Sequence, residues 1–188
     1  SARICNERYV PNYLLQPLTH PETWLTRSGK GTGKTVQAQR VTRRPIVDTD
    51  GTLCWLPDGE PFPPGSRPAR VCVLSPQTSV AQEFKRQYQC ACYLDEPFRS
   101  DSVQLMLEER MIISIESLHR VPLHVDYDLV LLDESEGLLS IFSGDTGKRE
   151  FRQANYDRFC RLVQRARLVL ASDARLGSKT YDMLHRLR

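Results

Sequence analysis

No apolar run in these 188 residues approaches the roughly 18 that a membrane span needs. The first thirty carry charges where a signal peptide would need an apolar stretch. Both absences point to a soluble intracellular protein with no membrane partner. Cysteines are few and badly placed for a metal or a disulfide framework. Cys5, Cys54, Cys72, Cys90, Cys92 and Cys160 include one close pair, spaced C-x-C, and no second pair to complete a zinc tetrahedron. Cys72 and Cys160 sit inside apolar patterns and read as small core residues. The four histidines lack ligand spacing and read as surface or structural groups. Internal repeats, heptads and low-complexity runs are absent as well. With 40% hydrophobic and 26% charged residues, the composition excludes disordered, collagenous and fibrous classes.

A net charge of +3 is too small to announce a polyanionic partner. Its distribution is uneven. Lys148 to Arg188 holds eleven basic and four acidic residues, and Arg27 to Arg44 holds six basic residues and no acid. Of the 26 basic side chains 21 are Arg, whose planar fork suits phosphate, although an arginine-rich solvated surface would look the same.

The length fits one compact domain. Short β-branched or apolar runs recur at Thr23–Arg27, Val71–Ser75, Met111–Ile115, Leu129–Asp133 and Leu168–Ser172, the pattern of strands covered on both faces. Amphipathic stretches alternate with them at Gly33–Arg43, Ser79–Tyr88, Ser102–Glu109 and Arg152–Ala166. The alternation predicts an α/β fold with a mostly parallel, doubly wound sheet. In the last helix Phe151, Phe159, Leu162, Val163 and Ala166 share a face, and Arg158, Arg161 and Arg165 are expected to project elsewhere as a basic surface. Pro45 to Pro68 interrupts the alternation with six prolines. Asp50-Gly51 and Asp58-Gly59 bracket Thr52–Leu56, turn chemistry around a short strand or hairpin, read as a proline-rich insertion on the surface.

Ser28-Gly29-Lys30-Gly31-Thr32-Gly33-Lys34-Thr35 lies directly after a predicted strand and opens a predicted helix. Glycines let successive N–H groups turn inward on a phosphate, and the helix N-terminus adds a positive dipole. Lys34 would reach the β/γ oxygens and Thr35 would offer a hydroxyl to Mg²⁺. Ser28 stands where the strict pattern wants glycine. A second half of such a site needs a carboxylate at a strand end, and Leu129–Leu132 runs into Asp133-Glu134. Asp133 would hold the metal, usually through water, and Glu134 would polarise the attacking water. Glu136 either extends this acidic end or is solvated.

The runs Ser114–Val121, Tyr127–Glu134 and Leu138–Ser143 resemble the ATPase region of the herpesvirus-type replication origin-binding proteins, superfamily 2 DNA helicases. The likeness extends from about Trp24 to Leu176 and is weakest in the proline-rich segment. It implies a RecA-like P-loop NTPase lobe over residues 23–188 behind an extension at 1–22, with ATP and magnesium as cofactors. It further implies that Ser75, Pro76 and Gln77 touch a nucleic-acid backbone and that Ser117, His119 and Arg120 form a second contact. Ordinary helix capping by Ser75, Thr78 and Ser117 fits as well. The chain reads Asp-Glu-Ser135 where the family usually has Asp-Glu-Val. In Ser172-Asp173-Ala174-Arg175, beside the family's Ser-Ala-Thr-like motif, Asp173 is left to carry coupling.

Helicases of this kind hold ATP between two RecA-like lobes, so a second lobe is an expected partner, with single-stranded DNA and replication proteins. The leading function is the first motor lobe of an ATP-dependent DNA helicase or translocase in replication, slow alone because an arginine finger is worth on the order of 10³ to 10⁵ in rate. Its compartment would be the host nucleus for a virus and the cytoplasm for a bacterium or plasmid. The alternatives are a packaging-type ATPase and a nucleotide-gated binding or scaffold module.

Overall fold

The structure, a computed structural model, describes residues 2–5, 15–27, 29, 33–143 and 149–188. Seven strands form the main sheet: β1 (Ala2–Cys5), β2 (Glu22–Arg27), β6 (Val71–Ser75), β7 (Ala91–Cys92), β8 (Arg110–Ser114), β9 (Leu129–Asp133) and β10 (Leu168–Asp173). Their spatial order is β1-β2-β10-β9-β6-β8-β7, and every pairing is parallel. The central strands are near-continuous runs of Val, Leu and Ile with essentially no exposed surface, as a sheet covered on both faces requires.

Helices α1 (Lys34–Arg43) and α2 (Thr78–Tyr88) pack side by side, while α4 (Ser135–Ser143), α5 (Arg152–Arg165) and α6 (Ser178–Leu187) pack on one another. The short α3 (Ser102–Leu107) precedes β8. Right-handed crossovers account for the two groups. The chain steps from β2 to β6 and on to β8 in one direction, then back from β9 to β10 in the other, so the two sets of helices fall on opposite faces. Where connections leave neighbouring strands toward opposite faces, crevices open beyond the carboxyl ends of the strands.

Residues 45–68 form a separate antiparallel sheet, β4-β3-β5, from β3 (Pro45–Val47), β4 (Leu53–Trp55) and β5 (Arg67–Pro68). The expected Asp50-Gly51 turn joins β3 to β4: Asp50 Oδ1 accepts the Thr52 N–H at 2.8 Å, and Gly51 takes φ +87°, a conformation that costs glycine little. The segment is not the surface excursion its prolines suggested. Leu53 is fully buried and exchanges backbone hydrogen bonds with Leu18, and Trp55 stacks on Trp24 at 5.9 Å while its Nε1 donates to Val41 O at 2.7 Å. Within the segment the exposed residues are 49–50, 57–65 and 67. Arg43 pairs with Asp58 at 2.7 Å, and Arg44 donates to Pro57 O and Glu60 O. Two of the six basic residues of Arg27–Arg44 are thus engaged by this loop.

The helix α5 departs from its sequence reading at one residue. Phe159, Leu162 and Val163 face the core as expected, but Arg158 is buried too, at 1% exposure, and donates to Leu123 O at 3.2 Å and to Val125 O. Residues 121–128 cross this part of the helix, and the guanidinium satisfies the carbonyls of Leu123 and Val125. Arg161 instead faces Asp126 at 3.4 Å, and Arg165 is exposed, so of the three arginines read as a basic surface two remain on it. Among the described cysteines, Cys54, Cys72, Cys90, Cys92 and Cys160 are free thiols, Cys160 only half-buried, and burial pushes the Cys72 thiol up to about 12.

Candidate functional site

The register places a row of small polar residues across the carboxyl edge of the sheet. Ser172 pairs with Thr26 on one side and Asp133 on the other; Leu74 pairs with Leu132, which sets Ser75 level with Asp133; and Ser75 pairs with Ser114. Thr26, Ser172, Asp133, Ser75 and Ser114 are all buried. Five adjacent strands therefore turn from apolar to polar at one height, just before their connections leave the sheet. Parallel α/β sheets bind ligands at this edge.

Beyond Thr26 comes the glycine-rich loop. Ser28, Lys30, Gly31 and Thr32 lie outside the described residues, and Gly29, Gly33, Lys34 and Thr35 are placed. Gly33 caps α1 at φ +86°, where a side chain would be strained, and accepts the Gln37 N–H at 3.0 Å. Lys34 folds back over the turn, with Nζ donating to Gly29 O at 3.1 Å. Among the described residues the first turn of α1 has no acidic residue and no side-chain cap, and it brings the positive end of its dipole, which favours an anion, to this edge. Thr35 is exposed and lines, with Gln39, Gln82, Glu83, Arg86 and Gln87, a cleft of about 550 Å³ between α1 and α2.

Two strands away, Asp133 is buried yet supplied with three donors. Tyr88 Oη donates to Oδ2 at 2.7 Å, Ser172 Oγ to Oδ1 at 2.9 Å and the Glu134 N–H to Oδ1 at 3.1 Å. Burial, followed by the charge of Asp133 and the hydrogen bond to it, pushes the Tyr88 phenol far above its ordinary value, so it remains a donor. The next residue, Glu134, is exposed and held at φ +56°. A glutamate in the left-handed region costs on the order of 1 kcal/mol or more, strain of a kind that collects at functional sites.

The acidic segment is tied to the end of β10. The Glu136 N–H donates to Asp173 Oδ2 at 2.9 Å, and Asp173 Oδ1 also accepts the Arg175 N–H at 2.7 Å. Glu136 is half-buried rather than solvated. Its Oε1 accepts the Gly177 and Thr180 N–H groups at 2.9 and 3.1 Å, capping α6. Burial works against its ionisation, but the Thr180 side chain and the two N–H donors outweigh it and hold the carboxyl below its ordinary value. The link between the two strand ends thus runs through Ser172 as well as Asp173.

The residues read as nucleic-acid contacts fall into two kinds. Gln77 is exposed at the start of α2 and Pro76 is half-buried beside it, whereas Ser75 is fully buried and donates to Gln77 O at 3.2 Å. Helix capping does not explain the hydroxyls: α2 has no side-chain cap, and Thr78, Tyr93, Ser114 and Ser117 instead form one chain of hydroxyls at 3.3, 2.9 and 3.1 Å. His119 stacks on Phe151 at 4.0 Å, and its Nδ1 meets Asn155 Oδ1 at 3.0 Å. Arg120 donates to Phe98 O and Arg99 O, so its guanidinium serves the fold. Tyr88, sited 45 residues from its partner, was invisible to sequence reasoning, which saw only the last residue of an amphipathic stretch.

Comparison with known proteins matches residues 65–188 to the family of origin of replication binding proteins. The chain belongs to this family. The matched stretch runs from β5 to α6 and contains Tyr88, Asp133, Glu134 and Asp173, and the glycine-rich loop precedes it. The replication origin-binding protein of bovine herpesvirus 1.1 is 30% identical over 164 residues, 80% of this chain. A protein of African swine fever virus named for a helicase/primase complex is 35% identical over 81 residues, 43% of this chain. The chain spans 18% of the first relative's length and 8% of the second's.

Proposed function

We propose that this member of the origin-binding family is the ATP-binding first motor lobe of a DNA helicase or translocase acting in replication. The observation that carries the reading is the register of β2, β10 and β9, which aligns the strand leading into the glycine-rich loop with the strand ending at Asp133 on the same edge, with one strand between them. The relatives' names, an origin-binding protein and a helicase/primase complex protein, support a role on replicating DNA. Residues 45–68 then form an insertion between the first helix and the second core strand of a RecA-like lobe.

In this reading Gly29 to Gly33 and the first turn of α1 bind the phosphates, with Lys34 turning from Gly29 O to the β/γ oxygens. Thr35 and Asp133 hold magnesium, and the donor set fits. Among the described residues the three donors to Asp133 are neutral, and a carboxylate with about four lone-pair directions has one left for a metal-bound water. The ion supplies charge neutralisation at the phosphates. Glu134, exposed beside Asp133, orients the attacking water and takes its proton. Single-stranded DNA runs past Gln77 and the turn at Ser117–Arg120, and a second lobe supplies the arginine that speeds hydrolysis. The protein acts in the host nucleus if viral.

A fluorescent ATP analogue titrated with Mg²⁺, with and without single-stranded DNA, tests the reading. Binding that falls by about a hundredfold in Lys34→Ala and shifts with DNA is the expected result. DNA affinity falling steeply with salt is expected alongside it. A wild-type chain that ignores nucleotide yet captures a protein partner would favour a scaffold module instead.

A further inference from the structure

Tyr88 ends α2, is buried, and sends its hydroxyl to Oδ2 of Asp133 at 2.7 Å. Ser172 from β10 and the backbone of Glu134 meet the other oxygen. The three donors come from a helix, a neighbouring strand and the strand's own continuation, so together they fix the torsion of the carboxylate as well as its place. Remove the phenol and Oδ2 loses its donor, while Oδ1 keeps two.

The tyrosine is in turn tied to the helix that opens at Lys34. Gln39 Nε2 of α1 donates to Gln87 O, one residue before Tyr88, at 2.8 Å, and Arg110 donates to Tyr88 O at 3.1 Å. A displacement of α1 is thus felt one residue from the group that holds Asp133.

Resting on the nucleotide-site reading above, we propose that Tyr88 is a positioning residue: its hydroxyl holds Asp133 so that the one remaining lone pair faces the water of a bound divalent cation, and it thereby sets the cation-dependent part of nucleotide affinity. A phenol that merely satisfied its own hydrogen bond would leave that dependence unchanged.

The test compares affinity for a fluorescent ATP analogue in Mg²⁺ and in EDTA. Tyr88→Phe keeps the EDTA affinity and loses about tenfold of the gain that Mg²⁺ confers, the size expected for one charge-assisted hydrogen bond. Asp133→Asn abolishes the gain. If Asp133→Asn loses it and Tyr88→Phe does not, the role of Tyr88 is overturned and the nucleotide site stands. If Asp133→Asn retains the full gain, the site reading fails and the proposal with it. A second measurement covers the case in which Tyr88→Phe does not fold: 3-fluorotyrosine placed at position 88 keeps the hydroxyl. Its fluorine resonance moves on addition of Mg²⁺ with nucleotide and stays in place with nucleotide and EDTA; a resonance indifferent to the cation would overturn the proposal.

Discussion

At the start of β9, Asp128 is closed in by the fork of Arg67 at 2.7 and 2.8 Å, the Arg70 N–H at 2.8 Å and Arg167 at 3.5 Å. Five residues on, at the other end of the same strand, Asp133 receives two hydroxyls and one N–H. Both carboxylates are buried, and both are satisfied. The difference is in the charge of the donors. Guanidinium groups neutralise Asp128 and tie the 45–68 sheet to the core, so that end has nothing left to offer a ligand. Among the described residues the three donors to Asp133 are neutral and leave one lone pair and the negative charge, which a cation can still use. The same residue type at two ends of one strand is a clamp in one place and a candidate site in the other.

The largest effect that would break this comparison is at the closed end. Arg158→Glu puts a buried carboxylate against the carbonyls of Leu123 and Val125 and is expected to cost about 4 kcal/mol or more, read as the urea midpoint. The next two changes form a mirror pair. Lys34→Ala should weaken nucleotide binding by about a hundredfold, about 2.7 kcal/mol, and shift stability by less than about 0.5 kcal/mol. Asp128→Ala should do the reverse, costing about 2 kcal/mol of stability while leaving nucleotide affinity as it was. Equal stability losses from the two would erase the distinction between the ends. Glu134→Gly sharpens it: relief of the positive φ should raise stability by about 1 kcal/mol, measured by thermal melting, while hydrolysis in a complete enzyme disappears.

The smallest effect is one of pH. Glu136 has its folded carboxyl below the ordinary 4.5, so its contribution is complete at neutral pH and is lost as pH falls through the folded value, beneath 4.5. Glu136→Gln should be less stable than the wild type at neutral pH, with the two converging in acid. A constant gap between their melting temperatures would show that the cap to α6 does not depend on ionisation.

Strands and helices of the central sheet were legible because their patterns are local. Leu129–Asp133 and Val71–Ser75 are found as expected, while Met111–Ile115 slides by one because apolar Ile115 opens a 3-10 turn instead of ending β8. The two-residue β7 is too short to show a period, and α4 and α6 were not read from periodicity at all. Arg158 misled because its place in the helix pattern says polar face, and only the crossing of residues 121–128 makes that face internal. The row from Thr26 to Ser114 could not be seen, since it depends on which strands are neighbours.

The sequence by itself determined a parallel α/β fold, a glycine-rich segment between a strand and a helix and an acidic pair at a strand end. Each follows from side-chain periods of 2 and 3.6 and from the backbone freedom of glycine, all of which act over a few residues. Tertiary structure alone decided that Tyr88 and Ser172 would meet Asp133, that Arg67 and Arg167 would close on Asp128, and that five strands would end in polar residues at one height. Those outcomes rest on strand order and crossover direction, which join residues tens of positions apart and leave no trace in any local period.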